Sequence, residues 1–116
     1  MRRDITATNE YHTPDDRPHI LADRLTFNSR FVFEFLFLGT VFSSRRLARK
    51  GIYDFEAWID SSHDIFTSVE KCGGRFHITG LDNVRNCTEP AIIVSNHMST
   101  LETMIFPGLI QPLKTV

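Results

Sequence analysis

The stretch Ala91-Ile92-Ile93-Val94-Ser95-Asn96-His97-Met98-Ser99-Thr100-Leu101-Glu102 most constrains what this 116-residue chain can fold into. Residues 91–94 are apolar, continuous and mostly β-branched, with Pro90 on their left, a pattern that predicts a buried strand. Ser99-Thr100-Leu101-Glu102 matches the Ser-x-x-Glu capping box and predicts a helix with Ser99 as its N-cap. Leu101, Met104, Ile105 and Leu109 give that helix an apolar face. Pro107 falls inside the pattern and is expected to kink or end the helix near Phe106. His97 then lies on the strand-to-helix turn, at the carboxyl edge where open α/β sheets bind ligands.

His97 and Glu102 are five residues apart, an offset that does not align side chains on one continuous helix. They can meet only if His97 precedes the helix and Glu102 sits in its first turn, as the capping signal predicts. A carboxylate placed there could accept the proton of one ring nitrogen, fix the tautomer and leave the other nitrogen as a base. Two plainer roles fit the same residues. Glu102 can serve only the helix N-terminus, satisfying backbone N–H groups and complementing the dipole. His97 can be an ordinary turn or core residue. Ser95 and Ser99 are near in sequence but neither is an obvious nucleophile, so a nucleophile would more naturally be a hydroxyl on the substrate. Asn96 is a candidate supporting hydrogen bonder.

The segment Asn96-His97-Met98-Ser99-Thr100-Leu101-Glu102, following an apolar strand, resembles the first motif of the glycerolipid (lysophospholipid) acyltransferases, which include the 1-acyl-glycerol-3-phosphate acyltransferases. That motif is His-x-x-x-x-Asp, often Asn-His-x-Ser-x-x-Asp. The upstream Phe76-His77-Ile78-Thr79-Gly80-Leu81-Asp82-Asn83-Val84 is similar to the family's short strand ending in Gly-x-(Glu/Asp)-Asn-(Leu/Val). Leu113-Lys114-Thr115-Val116 resembles the start of its next strand. The resemblance covers roughly residues 74–116 and implies His97 as general base and Glu102, in place of the family's Asp, as the carboxylate that orients it. It implies no metal, no cofactor and no covalent acyl-enzyme. The family's later Phe-x-x-Arg and Glu-Gly-Thr-Arg segments, which hold the substrate phosphate, have no counterpart here, so the sequence is expected to be the N-terminal portion of an acyltransferase.

Length allows one domain at most. The net charge of −1 points away from nucleic acid as a partner, and a hydrophobic content of 41% is ordinary for a globular chain. Cys72 and Cys87 make neither a disulfide framework nor, with His63 and His77, a regular zinc spacing. Residues 1–20 are polar and carry Pro14 and Pro18, so they are expected to be a flexible lead-in. Arg2 and Arg3 are followed by no apolar core of a signal peptide.

Residues 25–42 are much more apolar and hold many of the ten phenylalanines. The continuous apolar part is too short to cross a bilayer, which takes about 20 residues. Arg45, Arg46, Arg49 and Lys50 follow at once. A greasy helix beside a cationic cluster reads as an interfacial anchor through Phe31, Phe33, Phe35 and Phe37, with the cations reaching lipid phosphates. A buried core helix with a solvated basic end fits the same pattern. After Gly51, residues 53–72 predict an amphipathic helix with Phe55, Trp58, Ile59, Ser62, Phe66 and Val69 on one face. Glu70 falls on its polar side, and Gly73-Gly74 ends it. Residues 75–79 alternate as a strand with His77 facing solvent, and residues 82–89 predict a polar loop.

The expected architecture is α/β: a lead-in (1–20), a membrane-associating helical pair (21–73), then the first strands and helix of a truncated acyltransferase sheet domain (74–116). The expected activity is acyl transfer from acyl-CoA or acyl-carrier protein to a lysophospholipid hydroxyl, at the cytoplasmic face of the inner (plasma) membrane. Two rivals share these residues: a lipid A-type acceptor, and a membrane-binding fragment that catalyses nothing.

Overall fold

In a computed structural model, described for residues 5–16, 21, 25 and 30–113, the protein is a small helix-rich α/β protein. Its described elements run β1 (Glu10–His12), α1 (Arg30–Arg49), α2 (Phe55–Lys71), β2 (His77–Thr79), α3 (Leu81–Arg85) and α4 (Thr100–Ile110). The strands pair antiparallel, with Glu10 opposite Thr79, Tyr11 opposite Ile78 and His12 opposite His77.

Helix α2 starts where Asp54 takes an extended conformation and its carboxylate accepts the Ala57 N–H at 2.9 Å. It stops at Gly73, whose φ of 87° only glycine adopts without strain. Its inner face buries Ile59, Ser62, Ile65 and Phe66. Ile65 and Phe66 meet Ile105 and Leu109 of α4 and Ile5 of the N-terminal segment, and this cluster is the core. Tyr11, Phe37, Phe76, Ile78 and Leu101 pack around it. The Phe66 and Phe76 rings stack at 4.0 Å, and Tyr11 meets Phe66 edge-on at 5.5 Å.

The structure departs from the sequence reading in five places. The expected strand at 91–94 is not formed: Ile92 is 93% and Val94 87% exposed, and residues 91–97 carry no regular structure. A strand is held by a neighbour's N–H and C=O groups, and here the sheet partner of β2 is β1. That strand comes from the segment read as a lead-in, in which Ile5, Thr6 and Thr13 are also buried. Glu70, placed on the polar face of α2, is 1% exposed. Its Oε1 accepts the Tyr11 hydroxyl at 2.6 Å and the Thr13 hydroxyl at 2.8 Å. Thr13 in turn bonds Phe76 through both its amide and its hydroxyl, at 3.0 and 2.9 Å. One buried carboxylate thus ties the N-terminal segment to α2 and β2.

The two remaining departures concern turns. Residues 82–85 of the expected polar loop, together with Leu81, form α3, entered through Gly80 at a φ of 80°. Arg85 pairs with Asp82 and donates to the Thr6 carbonyl, fastening that helix to the N-terminal segment. Helix α4 runs through Pro107 to Ile110, so of the expected kink or end near Phe106 the end does not occur. Its partner on α2 supplies the reason. The Ser62 hydroxyl donates to the Ile105 carbonyl at 2.8 Å and accepts the Gly108 N–H at 2.9 Å. Backbone groups beside the proline thereby find a buried partner on the neighbouring helix. The remaining expectation for 114–116, the start of a further strand, lies outside the described residues, as do 1–4 and 17–20 of the lead-in.

Candidate functional site

The N-terminus of α4 is closed by the capping box expected from Ser99 and Glu102. Ser99 is extended at φ −154°, and its hydroxyl accepts the Leu101 N–H at 3.1 Å. Glu102 reaches back: Oε1 accepts the N–H groups of Ser99 at 2.8 Å and Met98 at 2.5 Å, and Oε2 accepts the Ser99 hydroxyl at 2.6 Å. These donors favour the ionised carboxylate, the Ser99 hydroxyl most, then the Ser99 N–H, and together they lower its pKa from 4.5 to about 2. Glu102 is therefore an anion throughout the neutral range.

His97 stands just before this box, and its Nδ1 lies 3.4 Å from Glu102 Oε1. The contact is longer than a formed N–H···O hydrogen bond, and the imidazole is 70% exposed while the Glu102 side chain is 19% exposed. An offset of five residues thus does bring the pair together, because residues 91–98 are not helical.

Both side chains line a cleft of about 330 Å³, walled by Trp58 of α2, Ile93, Phe106 and Ile110 among others. On the other side of Glu102 a second groove of about 480 Å³ runs between β2 and α4, lined by Phe76, Ile78, Leu101, Ile105, Phe106 and Leu109. Trp58 and Gln111 are cleft residues that the sequence did not mark. Helical periodicity places Trp58 in the core, yet it is 41% exposed. Gln111 also lines the cleft, and its Oε1 is buried without a hydrogen-bond partner. Its signal is weak in principle, since one amide at a helix C-terminus is commonplace. Asn96 is exposed.

The expected membrane-contacting phenylalanines divide. Phe31 and Phe35 are exposed on α1, whereas Phe33 and Phe37 are half-buried with rings 6.0 Å apart, and Phe37 packs on the core. Leu38 and Phe42, also exposed, continue the Phe31–Phe35 line at spacings of three and four, so one apolar stripe runs along the outer face of α1. Phe42 leads into a cleft of about 410 Å³ framed by Arg45, Arg46, Arg49 and Lys50, all four exposed. Among the described residues no helix is long and apolar enough to cross a membrane.

No protein-family model, curated protein or solved structure matches the chain.

Proposed function

We propose that the protein is an O-acyltransferase that moves a fatty acyl group from acyl-CoA or acyl-carrier protein to a lysophospholipid hydroxyl. The acceptor implied by the sequence resemblance is 1-acyl-glycerol-3-phosphate, which places the activity in phospholipid biosynthesis. The observation that carries the reading is the approach of His97 Nδ1 to Glu102 Oε1, 3.4 Å apart at the mouth of a cleft. An ionised Glu102 draws the ring proton to Nδ1 and leaves Nε2 free to take the proton of the acceptor hydroxyl. The oxygen attacks the thioester carbonyl; a C–O bond forms, the C–S bond breaks, and the imidazolium returns its proton to the leaving thiolate. The thioester is already activated, so positioning and a base suffice for the chain's own part. The apolar groove beyond Glu102 suits an acyl chain.

The lipid acceptor gives the α1 surface its place in this reading. An exposed Phe31–Phe35–Leu38–Phe42 stripe ending in four cations matches a helix lying in a headgroup layer, apolar side down, on an anionic membrane face. That face is the cytoplasmic side of the inner membrane.

A second reading is that Glu102 serves the helix alone. The three donors already bonded to its oxygens favour it. One experiment separates the two: thiol release from acyl-CoA with 1-acyl-glycerol-3-phosphate, by the full reading frame that carries this sequence. Loss of turnover in both His97→Ala and Glu102→Ala, with the fold intact, supports the acyltransferase. Full turnover in Glu102→Ala with lowered thermal stability leaves the carboxylate as a cap only. Release that persists in His97→Ala overturns the proposal.

A further inference from the structure

The β1–β2 ribbon presents a histidine pair to which acyl transfer assigns no chemical role, although His77 also borders the groove beside Glu102. We infer that His12 and His77 form a binding site for a late first-row divalent cation, of the class of Zn²⁺, Ni²⁺ and Cu²⁺. The two residues are direct cross-strand partners in the antiparallel register. Their rings stack with centroids 4.0 Å apart and planes 30° from parallel. Two nitrogens on one tetrahedral cation, each about 2.0–2.1 Å from it, lie about 3.3 Å apart. To hold one cation the two rings must swing out of this stack so that a nitrogen of each faces the metal, a movement open to side chains at the surface of a two-stranded ribbon. Both residues are exposed, so a cation reaches them without disturbing the core.

The backbone beneath the pair is already fixed, which limits the ordering that binding requires. The Thr13 N–H donates to the Phe76 carbonyl on one side of the pair at 3.0 Å, and the Leu81 N–H donates to the Asn9 carbonyl on the other at 3.3 Å. Thr13 is anchored further by Glu70. Glu10 stands on the same face, its Oε2 3.8 Å from His12 Nε2, and adds negative charge beside the site. Among the described residues no group of three or more His, Cys, Asp and Glu side chains converges as a metal cluster. Among the described residues the site thus has two protein ligands, with water to fill the remaining positions. Imidazole donors select Cu²⁺, Ni²⁺ and Zn²⁺ over Mg²⁺ and Ca²⁺, which take oxygen. Because β1 and β2 are 65 residues apart (12 to 77), a bound cation clamps the N-terminal segment to the sheet and stabilises the folded chain by mass action.

The test is titration of the protein with Cu²⁺, Ni²⁺, Zn²⁺ and Mg²⁺, read by calorimetry and by paramagnetic broadening of amide resonances. Wild type, His12→Gln, His77→Gln and His97→Gln are compared; the first two substitutions are at exposed positions. The expected result is one cation per chain, Cu²⁺ bound tightest and Mg²⁺ not bound. Ni²⁺ broadening should centre on residues 10–12 and 77–79. His12→Gln and His77→Gln should each weaken binding on the order of tenfold or more, with His97→Gln unchanged. Broadening centred elsewhere in wild type, or wild-type affinity in either ribbon variant, overturns the inference. Loss of binding in His97→Gln alone also overturns it, by moving the cation to the His97–Glu102 cleft.

Discussion

Gly108→Ala tests the close approach of α2 and α4 at Ser62. Replacing a helical glycine by alanine is worth about 1 kcal/mol in favour of the helix when nothing else changes. Here the added Cβ would stand 2.7 Å from the Ser62 hydroxyl oxygen and 3.1 Å from the Ser62 Cβ, at a position buried between the helices. A carbon cannot occupy that space unless the helices separate or Ser62 turns away. Turning away breaks the bonds to Ile105 and Gly108 at 2.8 and 2.9 Å. Overpacking costs about 1–3 kcal/mol, and each lost buried bond about 1 kcal/mol. With both bonds lost and the helix gain set against them, the net expected loss is about 2–4 kcal/mol. The assay is urea unfolding followed by far-ultraviolet circular dichroism, with Trp58 fluorescence as a second probe. Ser62→Gly removes the clashing atoms, so the double variant should be less destabilised than the sum of the single ones. A Gly108→Ala protein as stable as wild type, or single effects that add within about 0.5 kcal/mol, would refute the argument.

Further outcomes follow from other contacts. Glu102 has a folded-state pKa depressed to about 2, so its contribution to stability is present above about pH 4.5 and is lost as pH falls toward 2. Glu102→Gln should therefore flatten the fall of unfolding free energy across that window; an unchanged slope would rule the cap out as its source. Glu70→Ala removes the acceptor of the buried Thr13 hydroxyl and of the half-buried Tyr11 hydroxyl and should cost on the order of 2 kcal/mol, against about 1 kcal/mol for Tyr11→Phe. Amide hydrogen exchange at residues 11–13 should rise in both, and unaltered protection there would contradict the tie. Phe35→Ser should weaken flotation with anionic vesicles while leaving the melting temperature unchanged, whereas Phe37→Ser should lower the melting temperature. Raised salt should weaken the flotation of wild type as the cations are screened.

Local signals in the sequence were legible where one short stretch contained both partners. Ser99 and Glu102 specify their cap within four residues, and Gly73-Gly74 ends α2 in the same way, whereas the Asp54 cap emerges only in the structure. The alternation of Phe76 and Ile78 against His77 and Thr79 marks β2 for the same reason. What the sequence hid depends on partners far along the chain. Residues 10–12 show no strand pattern of their own; they become β1 because β2 offers a bonding edge and Glu70, 57 residues beyond Thr13, accepts its hydroxyl. The burial of Glu70 cannot be read from helical periodicity, which assigns a lone acid to solvent. Pro107 likewise reads as a kink or a stop until Ser62, 43 residues before Ile105, is seen to bond across it. The opposite error befell residues 91–94, whose composition predicts burial although among the described residues no strand pairs with them. Of the candidate site, His97 and Glu102 were legible, and the walls given by Trp58 and Gln111 were not, because they come from elements packed by tertiary contact.

Glu102→Asp separates the two duties of the carboxylate more sharply than deletion does. The capping duty needs reach: Glu102 spans back to the Ser99 and Met98 N–H groups from the third helical position, and aspartate is one methylene shorter. The orienting duty needs only a charge near His97 Nδ1. Oε1 has two lone pairs and already accepts two N–H groups, so His97 competes with Met98 for it, which accounts for a contact of 3.4 Å. An aspartate that lets go of Met98 leaves an oxygen free for the imidazole. The acyltransferase reading therefore expects Glu102→Asp to keep most of its turnover while losing stability, measured by thiol release and by thermal unfolding on the same preparation. A variant that keeps its melting temperature but loses turnover would show that the longer side chain, and not the charge, is what His97 requires.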